Sequence, residues 1–136
     1  MNSKPIETPS GKVQKRILVV ESDDEFRISI TRLLNKQHFE IYSVENDAQA
    51  EKYLDKIQVG CIIFGLNQPV HESLLQLKKM IAHNQNPCVL ILSAFDWQEV
   101  ESEIGDMKYS EFVTKPVKQD QLLQLITRLK NKKQTH

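Results

Sequence analysis

Five short apolar runs, separated by stretches with helical periodicity, constrain this 136-residue chain more than any other feature. RILVV (16–20), EIYSV (40–44), CIIF (61–64), CVLIL (88–92) and EFVT (111–114) have the length of strands. The continuous, β-branched ones have the pattern of strands buried on both faces. Between them, apolar residues recur at helical spacing: Phe26, Ile30, Leu33 and Leu34, then Ala50, Tyr53, Leu54 and Ile57. The pattern repeats with Leu74, Leu77, Met80 and Ile81, with Trp97, Val100 and Ile104, and with Leu122, Leu125, Ile126 and Leu129. Asp23 or Asp24, Asn46 and Asp96 stand where three of these helices should start, and their side chains suit N-caps. Strict alternation of strand and helix predicts a doubly wound parallel α/β sheet with helices on both faces.

The boundaries follow from the same pattern. Residues 1–14 are expected to be a flexible lead-in, 15–130 the domain, and 131–136 a basic tail. Sheets of this kind place their functional crevice beyond the carboxyl ends of the strands, where the winding reverses. That singles out four segments: Glu21-Ser22-Asp23-Asp24, Gly65-Leu66-Asn67-Gln68-Pro69, Ser93-Ala94 and Lys115-Pro116.

Charge and composition exclude several functions. Formal net charge is zero, but residues 17–127 carry 17 acidic and 10 basic side chains, the excess of lysine and arginine lying at the two ends. An acidic body is a poor nucleic-acid binder, because phosphate backbones call for a basic face. No apolar run approaches the roughly 18 residues that a membrane span needs. The polar opening MNSKPIETPSGKVQKR is neither a secretory signal nor an anchor, so the cytoplasm is the expected compartment. Cys61 and Cys88 lie in or beside apolar runs and read as reduced core thiols, with no CxxC or metal-ligand spacing. His38, His71, His83 and His136 fall outside the crevice segments and no Gly-x-Ser-x-Gly elbow occurs, so no enzyme activity, catalytic residue or cofactor is expected.

The four crevice segments together resemble the receiver domain of two-component response regulators, over about residues 16 to 130. ILVVESDDEFR is similar to that family's first strand, acidic pair and helix. IIFGLNQP resembles the strand that ends in the phosphoacceptor aspartate, LILSA the strand that ends in Ser or Thr followed by Ala, and FVTKP the strand that ends in Lys-Pro. The resemblance implies a flavodoxin-like (βα)5 fold with strand order 2-1-3-4-5. It also implies phosphoryl transfer to a carboxylate aided by a divalent cation, with a hydroxyl and a lysine binding the phosphoryl oxygens.

Carried over residue by residue, the resemblance is partial. Ser93 fits the hydroxyl, Lys115 the lysine, Phe112 the switch aromatic and Glu21 the first acid. Ser22 stands where the metal-binding acid is expected, and Gly65 where the phosphoacceptor is expected, while Gln68 and Ser73 depart from a usual Met and Gly. Glu21 and the Asn67 carbonyl alone make a poor magnesium site, so none is expected. The implied function is a signalling domain acting by phosphorylation-independent protein–protein interaction. Its partners would be a histidine kinase, an effector or another receiver, with a homodimer through the fourth helix, fifth strand and fifth helix. Trp97, Phe112 and Lys118 mark that face, near Glu99, Glu101, Glu103 and Lys108, although Trp97 and Phe112 also suit plain core positions. Two alternatives are a phosphoacceptor using Asp23 and a flavodoxin-like cofactor protein, the latter disfavoured by the acidic ESDDE loop. Without an aspartate at 65, Lys115 is expected to pair with Glu21 in an exposed contact worth about 1 kcal/mol or less. Alternatively, Lys115, Ser93 and the Gly65 amide would hold a small anion.

Overall fold

The strands RILVV and CIIFGL are buried at every residue, so both must lie inside the sheet with an apolar cover on each face. The computed structural model describes residues 13–134, with side-chain surroundings described as far as Leu129. After a 3-10 turn at Val13–Lys15 the elements alternate: β1 (Arg16–Val20), α1 (Asp24–Lys36), β2 (Glu40–Val44), α2 (Asp47–Leu54) and β3 (Cys61–Leu66). They continue with α3 (Val70–Ala82), β4 (Cys88–Ser93), α4 (Trp97–Ile104), β5 (Glu111–Thr114) and α5 (Gln119–Gln134). The five strands pair in parallel in the order β2-β1-β3-β4-β5, as expected.

Alternating side chains of each inner strand feed two cores. Ile17, Val19, Ile63, Leu90 and Leu92 pack with Ile30, Leu33 and Leu34 of α1 and with Leu122, Leu125, Ile126 and Leu129 of α5. Leu18, Val20, Ile62, Phe64 and Ile91 pack on the other face against Ala50 and Leu54 of α2, Leu74, Leu77 and Met80 of α3, and Val100 and Ile104 of α4. Each such buried aliphatic side chain contributes about 1.5–3 kcal/mol of transfer free energy. Cys61 is buried and Cys88 half-buried in the first core.

Three boundaries differ from expectation. β3 continues through Gly65 and Leu66, which the sequence assigned to a loop, because these residues stay in register with Leu92 and Ser93 of β4. α2 stops at Leu54, with Ile57 packing against the core from beyond the helix. α5 runs to Gln134, past the domain end expected at 130 and into the stretch read as a tail. The expected lead-in falls almost wholly outside the described residues. Two caps are as expected: Asp23 accepts a hydrogen bond from the Phe26 amide at 3.1 Å, and Asn46 accepts one from the Gln49 amide at 3.0 Å. No helix among the described residues is long and apolar enough to cross a membrane.

Candidate functional site

Parallel strands all point their carboxyl ends the same way, so β1, β3, β4 and β5 deliver Glu21, Gly65, Ser93 and Lys115 to one edge of the sheet. The Glu21 amide donates to the Val44 carbonyl at 3.1 Å, holding the first residue after β1 in the sheet. Its side chain therefore turns inward and is only 1% exposed.

Both carboxylate oxygens of Glu21 are engaged. Oε2 accepts a hydrogen bond from the Asp23 amide at 3.0 Å. Oε1 lies 3.0 Å from the Lys115 ammonium, off the direction of a well-formed hydrogen bond, so this contact is chiefly ionic. The carboxylate also lies against Gly65. A Cβ placed there would come 2.4 Å from Oε1, 2.8 Å from Cδ and 3.1 Å from Oε2. The Glu21–Lys115 pair expected from the sequence is thus present, in its direct form. Its setting was misjudged, because an acid in a run such as ESDDE has the look of a solvated side chain and is in fact enclosed.

Lys115 is held at both ends. Its amide donates to the Ser93 carbonyl at 2.6 Å, and its ammonium lies 5.2 Å from the centre of the Phe26 ring. Ser93 is fully buried, and its hydroxyl donates to the Phe95 carbonyl and accepts from the Phe95 amide, both at 2.8 Å. That hydroxyl fixes the turn after β4. Ser22 is exposed and donates to Asn67 Oδ1 at 3.4 Å, joining the β1 and β3 loops.

Asp23, Glu25, Phe26, Ser29, Ala94, Lys115, Pro116 and Val117 line an open cleft of about 530 Å3 between α1 and the loops that follow β4 and β5. Asp23 stands on its rim with its carboxylate committed to the cap of α1.

The remaining residues singled out by sequence form a second group. Trp97 packs edge-on against Phe112, ring centres 5.3 Å apart, and lies 5.7 Å from the Tyr109 ring. All three are half-buried against the core shared by α2, α3 and α4. Lys118 is exposed, and its carbonyl accepts the Leu122 amide in the first turn of α5.

Sequence reasoning passed over three contributors. Arg27 donates to the Glu21 carbonyl at 2.8 Å and to Asp24 Oδ1 at 2.7 Å, fixing the backbone that presents the carboxylate. The Asp24–Arg27 spacing was the available signal. Ser73, noted only as a departure from glycine, is buried and accepts the Asn67 amide at 3.1 Å. Tyr109 had no distinguishing signal.

Comparison with known proteins bears on the fold that carries these residues. The family model described as the response regulator receiver domain matches residues 17–127. The chain is 25% identical over 114 residues to a two-component response regulator-like protein, APRR3, of Arabidopsis thaliana, covering 81% of this chain and 23% of that protein. It is 25% identical over 115 residues to the regulatory protein AtoC of Escherichia coli strain K12, covering 83% of this chain and 24% of that protein. It therefore spans about a quarter of the length of these relatives. Among solved structures, a receiver domain protein from Methanospirillum hungatei superposes with a TM-score of 0.75 at 17% identity, covering 89% of this chain and 98% of that one. A response regulator from Thermotoga maritima gives 0.73 at 18% identity, covering 84% and 95%. At those identities the structural likeness is one of fold.

Proposed function

Because this chain belongs to the response regulator receiver domain family, we propose that it is a two-component signalling domain working through phosphorylation-independent protein–protein contact. The observation that carries this reading is Gly65 lying beneath the Glu21 carboxylate. The family resemblance puts the phosphoacceptor at position 65, and glycine has no group to accept a phosphoryl. Glu21, the one buried carboxylate among the described residues, is spent on Lys115 and the Asp23 amide.

The divalent cation that the family implies does not fit this donor set. Magnesium draws on carboxylates in a near-octahedral arrangement of oxygens. Both Glu21 oxygens are engaged, Ser22 supplies only a neutral hydroxyl, and Gly65 supplies no side chain.

The partners that suit the family are a histidine kinase, an effector or another receiver. The face of α4, β5 and α5, with Trp97, Phe112 and Lys118, is the surface we assign to them and to a homodimer, in the cytoplasm. The flavodoxin-like alternative is displaced by the family match. Asp23 as a substitute acceptor is weakened by its commitment to capping α1.

Incubation with acetyl phosphate and magnesium, read by intact mass, tests the proposal. An unmodified mass is expected. A phosphoryl adduct would overturn the reading, and peptide mapping would then show whether Asp23 carries it.

A further inference from the structure

Glutamate at 21 and glycine at 65 are not independent facts of the sequence. The glutamate side chain is folded onto the glycine, with Oε1 2.4 Å from where a Cβ would sit. Real Cβ atoms do not approach another heavy atom so closely, so any side chain at 65 displaces the carboxylate. The carboxylate is not free to swing away at no cost. It is 1% exposed, ion-paired at 3.0 Å to Lys115 and hydrogen-bonded at 3.0 Å to the Asp23 amide. The backbone behind it is pinned by Arg27 at 2.8 Å.

We propose that Glu21 is the built-in anion of this crevice, occupying the volume of a side chain at 65 and binding Lys115 in its stead. This inference rests on the phosphorylation-independent reading and adds how the site is held. The carboxylate reaches across from β1 instead of rising from β3. Glutamate has one methylene more than aspartate, and that extra length serves the crossing. Four strand ends are thereby tied together. Glu21 follows β1, covers the end of β3 and binds the lysine after β5, whose amide in turn is bonded to Ser93 of β4 at 2.6 Å. The crevice is closed by a covalently attached group, so the position of Lys115 does not wait on phosphate, metal or any diffusible ligand.

A double-mutant cycle on the full 136-residue chain tests this. G65A is expected to lower the melting temperature by roughly 5 °C in the natural background and to have no further effect in E21A, where the obstructing carboxylate is gone. Equal losses in both backgrounds would overturn the coupling. A second readout follows Lys115 itself. Acylation by N-hydroxysuccinimidyl acetate, quantified by peptide mass, should be several-fold faster in G65A and in E21Q than in the natural protein. E21Q keeps the side-chain volume and removes the charge, so it remains informative if E21A folds poorly. An unchanged Lys115 rate in both variants would sink the proposal. The two readings fail separately. A phosphoryl adduct on the natural protein defeats the functional reading and leaves the cycle untouched, whereas an additive cycle defeats the lock alone.

Discussion

Glu21 and Lys115 do not contribute equally to their ion pair. The glutamate side chain is 1% exposed and the lysine side chain 25% exposed. Removing the lysine strands a buried charge, while removing the glutamate's charge leaves an ammonium that can turn toward water. K115M is therefore expected to cost about 2–3 kcal/mol, below the usual range for fully buried pairs because Lys115 is partly screened. E21Q should cost about 1 kcal/mol. Urea denaturation of both variants checks the order, and equal losses would contradict the asymmetry. The pair was legible in sequence because the motifs after β1 and β5 fix which residues face the crevice. Its burial was not legible, since that depends on the missing Cβ at Gly65, a three-dimensional vacancy that no linear pattern reports. A second residue lies far from the crevice. Burial, aided by the Glu40 carboxylate that accepts a hydrogen bond from its hydroxyl, pushes the Tyr42 phenol up to about 12 from 10. A raised pKa means that folding favours the protonated phenol. The resulting stabilisation is fully present below pH 10 and lost as pH climbs from about 10 to about 12. Ultraviolet titration should show a late tyrosine ionisation, and Y42F should remove it.

Elements built on one strong periodic signal were read correctly, and errors came where two signals met. Gly65 disfavours a strand by propensity, and the Asn-Gln-Pro that follows Leu66 marks a loop, so the sequence ended β3 at Phe64. Pairing with Leu92 and Ser93 carries the strand two residues further, a tertiary gain that local preference does not contain. In α2 the apolar stripe continues to Ile57, but the helix ends after Leu54 and Ile57 reaches the core from the following turn. The same ambiguity affects Trp97. Helical spacing allowed either a core position or a partner anchor, and its half-burial against Phe112 and Tyr109 gives it part of each environment. Caps are the most local of these signals. α2 has only Ala50 and Leu54 buried, so its eight residues draw little from packing and depend on the Asn46 cap. N46A is expected to cost about 1 kcal/mol, measured by thermal or urea denaturation. A loss within error of zero would mean that Gln49, which accepts the Glu45 amide at 2.8 Å, holds the helix start by itself.

At the scale of the whole molecule, the question is what a phosphodonor could do to the surface formed by α4, β5 and α5. A ligand shifts a conformational equilibrium only by its difference in affinity for the two states. In this fold such a difference would have to arise at the strand ends. There the carboxylate facing Lys115 belongs to the chain itself, and the Ser93 hydroxyl is bonded to the Phe95 backbone. Phe112 lies on β5 three residues before Lys115 and against Trp97 on α4, so a shift at the crevice would register in the emission of the sole tryptophan. On the phosphorylation-independent reading proposed above, with glycine at position 65, the coupling free energy between crevice and surface should be near zero. Acetyl phosphate and magnesium are therefore expected to leave Trp97 fluorescence unchanged. E21Q, which releases Lys115 from within, should shift it. A spectral change in the natural protein on adding the phosphodonor, reversed by removing magnesium, would show that the crevice still answers to external phosphate and that its internal carboxylate can be displaced.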